Sequence, residues 1–425
     1  MLISRPAVRV ILLTLFVLSL FIYYGKTHFY RDPGSIFYDP GRAFERTYSL
    51  HRESEAKEYI RTVAGRNETG STFKAGEKPV ICGVFSTVKR KGVQYVETAI
   101  ASMVYGLTPA ERADLHLGVL FAHANTTAHP SLKLEWLHRA VDFTFTYKDN
   151  MPEETFLKLQ TLEETANFQE KGVFDYTYAL KQCYAKKTPY IAMFEDDTLF
   201  ADGWLVRSLI ALREIESAAA DVMKPWLYMR LFNQERSTGW AHRNIGGNNE
   251  PWIILGIAAA ILAPAFLVRR WLQLRRSSSS SSRDCAAYLG AIYAIVLFTV
   301  PCFVILFFQA GKASMLPPSP GVFRELFGCC SQAMIFPSER VPGLIEFLER
   351  KERGQVDLLL KDLAIAEGFD TYALYPVQVQ HIGSSSVRGT SRQEAQAVWS
   401  MAFENLNADS LHKEHLEMVS QYYKK

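Results

Sequence analysis

Tyr190-Ile191-Ala192-Met193-Phe194-Glu195-Asp196-Asp197-Thr198 is the stretch on which the fold turns. A short apolar run ends abruptly in three carboxylates, which reads as a buried strand opening onto a loop. In an open α/β sheet, ligands bind beyond the carboxyl ends of the strands. Three acids at such an edge repel one another unless a cation or hydrogen-bond donors offset them. Oxygen ligands of this kind suit Mg²⁺ or Mn²⁺, ions that also hold phosphate oxygens. The competing reading is an acidic helix N-terminus, because Asp202-Gly203 open a helix shortly afterwards and acids favour that end.

Working outward, strands and helices alternate. Upstream, Pro79 to Thr87 is an apolar run ending in small residues, followed by helical spacing from Val93 to Tyr105 (Val96, Ile100, Met103) that Gly106 stops. Leu115 to Phe121 reads as a second strand, Trp136 sits in a second helix, and Val141 to Tyr147 alternates as a third strand. A helix is expected over Phe174 to Ala185 and a strand over Trp226 to Phe232. The pattern resumes much later, with strands over Gln332 to Phe336 and Tyr372 to Leu374 and helices over Val341 to Glu349 and Val356 to Ala366. Alternation of this kind implies an α/β sheet, largely parallel. Neither part looks complete alone, so one domain interrupted by an insertion is the simplest organisation; two separate domains is the alternative.

The interruption is apolar. Trp252 to Val268 and Ala286 to Phe308 carry no charge, and Arg269, Arg270, Arg275, Arg276 and Arg283 lie between them with a run of serines. Uncharged stretches of this length read as membrane helices, and the arginines mark a cytosolic loop. A third run, Val10 to Tyr24, follows Arg5 and Arg9. No small-x-small site follows it, so it reads as an uncleaved anchor rather than a signal peptide. The chain of 425 residues is 48% hydrophobic and 21% charged, which excludes disorder. A mean hydropathy of −0.04 excludes a carrier built mostly of membrane helices. The net charge of +3 is concentrated in the arginine loop, and the remainder is no footprint for nucleic acid.

Both charge cues give one topology. Arg5 and Arg9 keep the N-terminus cytosolic, and an arginine-tipped hairpin returns the chain to the far side. The expected segments are therefore a cytosolic tip and anchor (1–25), a luminal stem (26–78), a first catalytic part (79–250), the hairpin (251–310) and a second catalytic part (311–425). Asn67 and Asn125 open glycosylation sequons in the luminal segment. Cys82, Cys183, Cys329 and Cys330 are an even number in an oxidising space. Adjacent Cys329 and Cys330 are poorly placed to pair with each other, so each is expected to reach toward Cys82 or Cys183, with free buried thiols as the alternative. Cys285 and Cys302 lie at or within the hairpin and read as unpaired. Trp240, Asn248 and Trp252 fall just ahead of the hairpin, at the level of the membrane surface, where aromatic residues commonly anchor spans.

A luminal, membrane-anchored chain with an acidic metal-diphosphate motif resembles the GT-A glycosyltransferases, with Glu195-Asp196-Asp197 standing where they carry Asp-x-Asp. Val84-Phe85-Ser86-Thr87-Val88-Lys89-Arg90, Tyr95, Gly106-Leu107 and Phe194-Glu195-Asp196-Asp197 are similar to the N-acetylglucosaminyltransferase IV branch. A membrane hairpin within the domain gives a closer resemblance, over about 79–385, to the Golgi GPI N-acetylgalactosamine transferases. That resemblance implies a GT-A-type, Rossmann-like mixed sheet, Mn²⁺ (or Mg²⁺), a UDP-sugar donor, a GPI-anchored protein glycan as acceptor, and a multi-pass Golgi membrane protein whose catalytic domain is luminal.

By the same resemblance Asp197 is the direct metal ligand, with Glu195 and Asp196 on ribose, sugar hydroxyls or metal-bound water. His381, in Gln378-Val379-Gln380-His381-Ile382-Gly383, returns to the metal; an ordinary hydrogen-bonded histidine is the plain alternative. Thr87, Lys89 and Arg90 face the nucleotide, unless they form a solvated basic turn. Asp357, at an acidic helix start, is the expected base, with Asp362 one turn further on as a lesser candidate; an N-cap role for Asp357 is the structural alternative. The inverting mechanism and the choice of N-acetylgalactosamine rest on the resemblance alone. Two other functions stay open: a GlcNAc transferase acting on N-glycans, and a non-catalytic membrane scaffold that keeps the fold.

Overall fold

The computed structural model describes residues 4–65, 73–149, 151–222, 224–234, 248–275, 282–325, 330–383 and 398–424. The chain divides into two compact units, one of residues 1–45 and 235–318 and the other of 46–234 and 319–425.

The first unit is helical. Three of its helices, Arg5–His28, Glu250–Trp271 and Tyr288–Gln309, are long and apolar enough to cross a membrane, and their apolar windows are almost wholly unburied by protein. An apolar helix with no protein cover needs lipid around it. Ser4 caps the first helix through Ala7 N. A Cβ on Gly290 would meet Ser4 Oγ at 2.5 Å, so the helix Ser282–Ala294 approaches the first one closely there. Thr14 and Thr299 share a hydrogen bond of 2.8 Å further along, and Ile36 N donates to Gln309 O beyond the helix ends. Those contacts ascend together in both segments, so the first and third apolar helices run parallel. Glu250–Arg275 packs against Val300–Gln309. A π-helical turn, Ile295–Thr299, precedes Pro301. Proline has no N–H for the ordinary bond to Leu297, and the wider turn accommodates its ring.

The second unit is an α/β domain. Its large sheet contains β1 (Ile81–Thr87), β2 (Leu115–Phe121), β3 (Phe143–Thr146), β4 (Tyr190–Glu195), β6 (Trp226–Arg230), β7 (Gly321–Arg324), β8 (Ala333–Pro337) and β9 (Asp370–Tyr375). Their order is β3-β2-β1-β4-β8-β6-β9-β7. Pairings β3-β2, β2-β1, β1-β4 and β6-β9 are parallel; β4-β8, β8-β6 and β9-β7 are antiparallel. A second ladder pairs β5 (Thr198–Phe200) antiparallel with β10 (Val379–His381), setting His381 opposite Thr198.

The inner strands read as continuous apolar runs because helices cover both faces. On one face Ile81 and Phe85 pack with Val96, Met103, Trp204 and Leu411. On the other, Cys82 and Val84 pack with Leu180, Cys183, Leu344 and Leu360. That second layer explains the disulfide: Cys82 on β1 faces Cys183 on the helix Phe168–Tyr184, and the two are bonded. The pairing corrects the expectation that Cys329 and Cys330 would reach them. Cys330 belongs to another disulfide, and Cys329 lies outside the described residues.

Tyr48–Ala64, read from sequence as stem, is a helix packed on the domain. Its inward face is partly polar, which hid its period. Arg52, 1% exposed, donates to the carbonyls of Phe200 and Ser102, each at 2.7 Å, and pairs with Glu55. The helix is thereby fastened to β5 and to the helix Val96–Val104.

The Cys82–Cys183 bond closes a separation of 101 residues. A loop of that size restricts the unfolded chain by about 4.7 kcal/mol in the chain-entropy treatment. Replacing both cysteines by alanine is expected to lower the thermal midpoint of the full chain in detergent by several degrees, measured against the wild type under non-reducing conditions. An unchanged midpoint would show that packing alone secures the helix to β1.

Candidate active site

β1 and β4 run parallel in neighbouring positions, so their carboxyl ends open on the same edge of the sheet. Thr87 closes β1 and Glu195 closes β4, with Asp196 and Asp197 in the turn before β5. β8 enters antiparallel on the other side of β4, which brings Ser331 and Gln332 to this edge. Ser331 Oγ donates to Glu195 Oε1 at 2.6 Å, and Glu195 N donates to Gln332 O.

Asp196 and Asp197 are 4% and 8% exposed, so their charges require local partners. Arg90 supplies them as a fork, Nη1 to Asp196 Oδ1 at 2.7 Å and Nη2 to Asp197 Oδ2 at 3.0 Å. The guanidinium also lies over the Tyr95 ring, 5.0 Å from its centroid. Asp196 takes a further bond from Thr87 Oγ1 at 2.6 Å. Behind Thr87 stands His129, whose Nε2 lies 3.2 Å from the hydroxyl. His129 Nδ1 accepts from Ser131 N, so Nε2 carries the proton of a neutral ring. Burial first, then nearby His123, Arg90 and Lys89, push that imidazole down to about 4. The chain His129–Thr87–Asp196 therefore hands hydrogen-bond donors toward the carboxylate.

The two aspartates are held apart in acidity. Burial raises Asp196 to about 6, with Asp197 adding to the rise and Arg90 opposing it. Burial also acts upward on Asp197, but His381 and then Arg90 outweigh it and leave this carboxyl below its ordinary value. His381 is brought in by the β5–β10 ladder; its Nε2 lies 3.5 Å from Asp197 Oδ2. Burial lowers His381, and Asp197 outweighs that to raise it. His381 Nδ1 lies 3.1 Å from the Val398 carbonyl and donates to it, which leaves Nε2 facing Asp197. A Cβ on Gly383 would stand 2.2 Å from Asp197 Oδ2 and 2.8 Å from His381 Nε2, so that residue admits the close backbone.

Asp197 and His381 could hold a divalent cation. Asp197 Oδ1 is buried without a hydrogen-bond partner among the described residues. His381 commits one ring nitrogen to a carbonyl and offers the other, the usual arrangement of a metal-binding imidazole.

Asp357 lies on the same side of the domain. It opens the helix Val356–Glu367, and its Oδ2 accepts from Cys330 N at 3.0 Å. Tyr176 feels the charges of both Glu195 and Asp357, and its hydroxyl is buried without a hydrogen bond among the described residues. Burial, then Glu195, Tyr228 and Asp357, hold that phenol well above its ordinary value against the pull of Arg230. Arg230 is itself fully buried, donating to Cys330 O at 2.6 Å and paired with Glu325 at 3.0 Å.

Thr87, Arg90, Asp196, Asp197 and His381 thus meet in one place, and Glu195 flanks them. Lys89 does not join them: its side chain is exposed, and its N–H donates to His123 Nε2. Asn125 is exposed on a 3₁₀ turn, accepting from Thr127 Oγ1, while Asn67 lies outside the described residues. Sequence reading missed His129, Ser331, Tyr176 and Arg230. Isolated residues of these types carry no local pattern, and only the crossing of strands identifies them.

No curated protein matches the chain. A family model described as GPI-N-acetylgalactosamine transferase PGAP4 matches residues 81–380, from the first residue of β1 to the strand that carries His381. The match spans the acidic turn, both later apolar helices and the returning strands, and by it the chain belongs to the GPI-N-acetylgalactosamine transferase PGAP4 family.

Proposed function

We propose that the chain transfers N-acetylgalactosamine from a UDP-sugar to a mannose of the GPI glycan, with inversion, on the luminal side of the Golgi membrane. The observation that carries this reading is the meeting of Asp197, Asp196 and Arg90 with His381 at the carboxyl edge of the sheet. Family membership supplies the transferase class and the GPI acceptor.

Asp197 and His381 would hold a Mn²⁺ or Mg²⁺ ion. Such an ion offsets charge on the diphosphate as it leaves. Arg90, now forked between two carboxylates, has the geometry to turn one N–H pair to a phosphate oxygen when a cation relieves Asp197. Thr87 and His129 fix Asp196, whose acidity near neutrality suits a hydrogen bond with a sugar or ribose hydroxyl. Asp357 keeps one oxygen on Cys330 N and turns the other to the acceptor. As the acceptor oxygen bonds to the anomeric carbon and the sugar–phosphate bond breaks, the hydroxyl proton passes to that oxygen.

Membrane placement follows from charge and direction. Arg5 and Arg9 lie in the first turns of the first apolar helix, and arginines cluster between the apolar cores of the second and third. The first and third helices run parallel, so each delivers its following segment to the same side. A GPI glycan lies close to the bilayer, and a transferase tethered three times to that bilayer meets it at raised effective concentration.

In cells lacking the endogenous chain, Asp197→Ala is expected to reduce the N-acetylgalactosamine branch on released GPI glycans by about 100-fold or more, the scale of losing a main electrostatic contact. Mass spectrometry reads the branch, and protein level and membrane fraction should match the wild type. A normal branch would remove the proposed metal role. Asp357→Asn should retain UDP-sugar binding and lower transfer by about 10²- to 10⁴-fold, the range for general-base loss; equal kcat in both forms would transfer the role elsewhere. Offering N-glycan acceptors beside GPI glycans separates the N-acetylglucosaminyltransferase IV reading. Asn125→Gln should increase gel mobility and shrink the glycosidase-sensitive shift by one glycan, whereas identical migration of the two forms would count against luminal placement of this loop.

A further inference from the structure

A second constellation lies away from the acidic turn. Asp202 follows β5 and stands just ahead of the helix Trp204–Val222. The C-terminal helix Ala408–Tyr423 packs on that helix and carries His412 and His415, three residues apart and so on one face. His412 Nδ1 lies 2.8 Å from Asp202 Oδ2, and His415 Nδ1 lies 2.7 Å from Asp202 Oδ1. One ligand atom from each of the three residues falls within 4.8 Å of the others.

His415 Nδ1 and Asp202 Oδ1 meet at 2.7 Å as an ion pair, and among the described residues neither atom has a hydrogen bond to any other group. A cation that takes the place of the proton they share would be held by both atoms. The other nitrogen of the ring is spoken for: His415 Nε2 lies 2.9 and 3.0 Å from the two oxygens of Glu111. His415 and Glu111 are each 0% exposed. A buried carboxylate behind a histidine fixes its tautomer and raises its basicity toward a metal.

We propose that Asp202, His412 and His415 hold a divalent transition-metal ion, with zinc the best fit, and that Glu111 orients His415 from behind. Two imidazoles and a carboxylate are a donor set that zinc favours. Two buried carboxylates, Asp202 and Glu111, bring the charge that a dication offsets; Arg52 is the further cation acting on Asp202. The side chain of His412 is 61% exposed, which gives the ion a way in and leaves a position for water. Binding releases the proton that His415 would otherwise carry between the two carboxylates. The ion would clamp the C-terminal helix to the segment after β5, the strand that pairs with β10 and so with His381. The site is independent of the proposed catalytic metal.

The test uses the full chain in detergent, stripped with a chelator, and titrated with Zn²⁺ and with Co²⁺, whose visible absorption reports nitrogen and oxygen ligation. Both the wild type and Asp197→Ala are measured, so that the acidic turn is removed from the count. The expected result is one tightly held equivalent that persists in Asp197→Ala, with a higher thermal midpoint on adding Zn²⁺. His412→Ala, at an exposed position that leaves the core intact, should weaken this binding by about 100-fold and abolish the thermal shift. Glu111→Gln should weaken it by about 10- to 100-fold, as for other orienting partners. No tight equivalent in Asp197→Ala, or equal affinity in His412→Ala, would overturn the site and leave His415 as an imidazolium bridging two carboxylates.

Discussion

The insertion of β8 between β4 and β6 is the constraint on which the rest depends. β8 comes from the chain after residues 235–318, and its two neighbours come from before them. Met193 and Arg230 both register with Met334, so backbone hydrogen bonds seal the two segments into one sheet. Closing so long an excursion adds little entropy beyond that of a shorter one, because the closure term grows only with the logarithm of length. Once β8 is seated, Ser331 reaches Glu195 and Cys330 N reaches Asp357. β9 then pairs with β6, and β10 follows within a few residues to place His381. Glu195 and His381 are therefore positioned by strand pairing, and Asp196, Asp197 and Arg90 by the short segments that leave those strands.

Electrostatics explains why that edge is built with so much support. Asp196 and Asp197 are neighbours in sequence, both buried, and would repel strongly if left to themselves. Arg90 bridges them, yet a single guanidinium offsets only one of two charges. The remainder is shared between the Thr87 hydroxyl on Asp196 and the His381 ring on Asp197. On the proposed reading, a site that admits a diphosphate would gain from this balance, since an arriving cation would replace one already accommodated. Removing Arg90 from this set would leave two buried carboxylates uncompensated, which destabilises by several kcal/mol, whereas removing Asp197 leaves Arg90 matched to Asp196. Residues that serve the ligand thus also serve the fold.

Much of this was legible in the sequence where a strand is buried on both faces. Leu117–Phe121 and Tyr190–Phe194, within β2 and β4, carry unbroken apolar runs because helices cover them above and below. The acidic turn was legible because three carboxylates after such a run have few explanations. Tyr48–Ala64 was not: its buried face includes Ser49, which donates to the Glu404 carboxylate, and Arg52, which donates to backbone carbonyls, so no apolar period marks it. The cysteine pairing was hidden for a different reason. Cys82 and Cys183 meet because a helix lies across β1, a packing relation that spacing does not encode. His129, Tyr176 and Ser331 acquire meaning only from what stands opposite them.

The turn between β4 and β5 shows why adjacent carboxylates can take different tasks. Glu195, the last residue of β4, bonds to Ser331 beside β8, whereas Asp196 bonds to Thr87 beside β1. Side chains alternate along an extended strand, so neighbours in sequence reach different elements on either side. Asp197 comes next, and its own carbonyl accepts from Ile382 N while its carboxylate faces His381. Three consecutive acids are thereby distributed over three different partners contributed by β8, β1 and β10. One is held high, one low, and the acidities are set by where each side chain points rather than by the residue type. Substituting within the triplet is for that reason unlike exchanging equivalent residues: Asp196 is tied to β1, and Asp197 to β10, which returns from beyond the apolar helices.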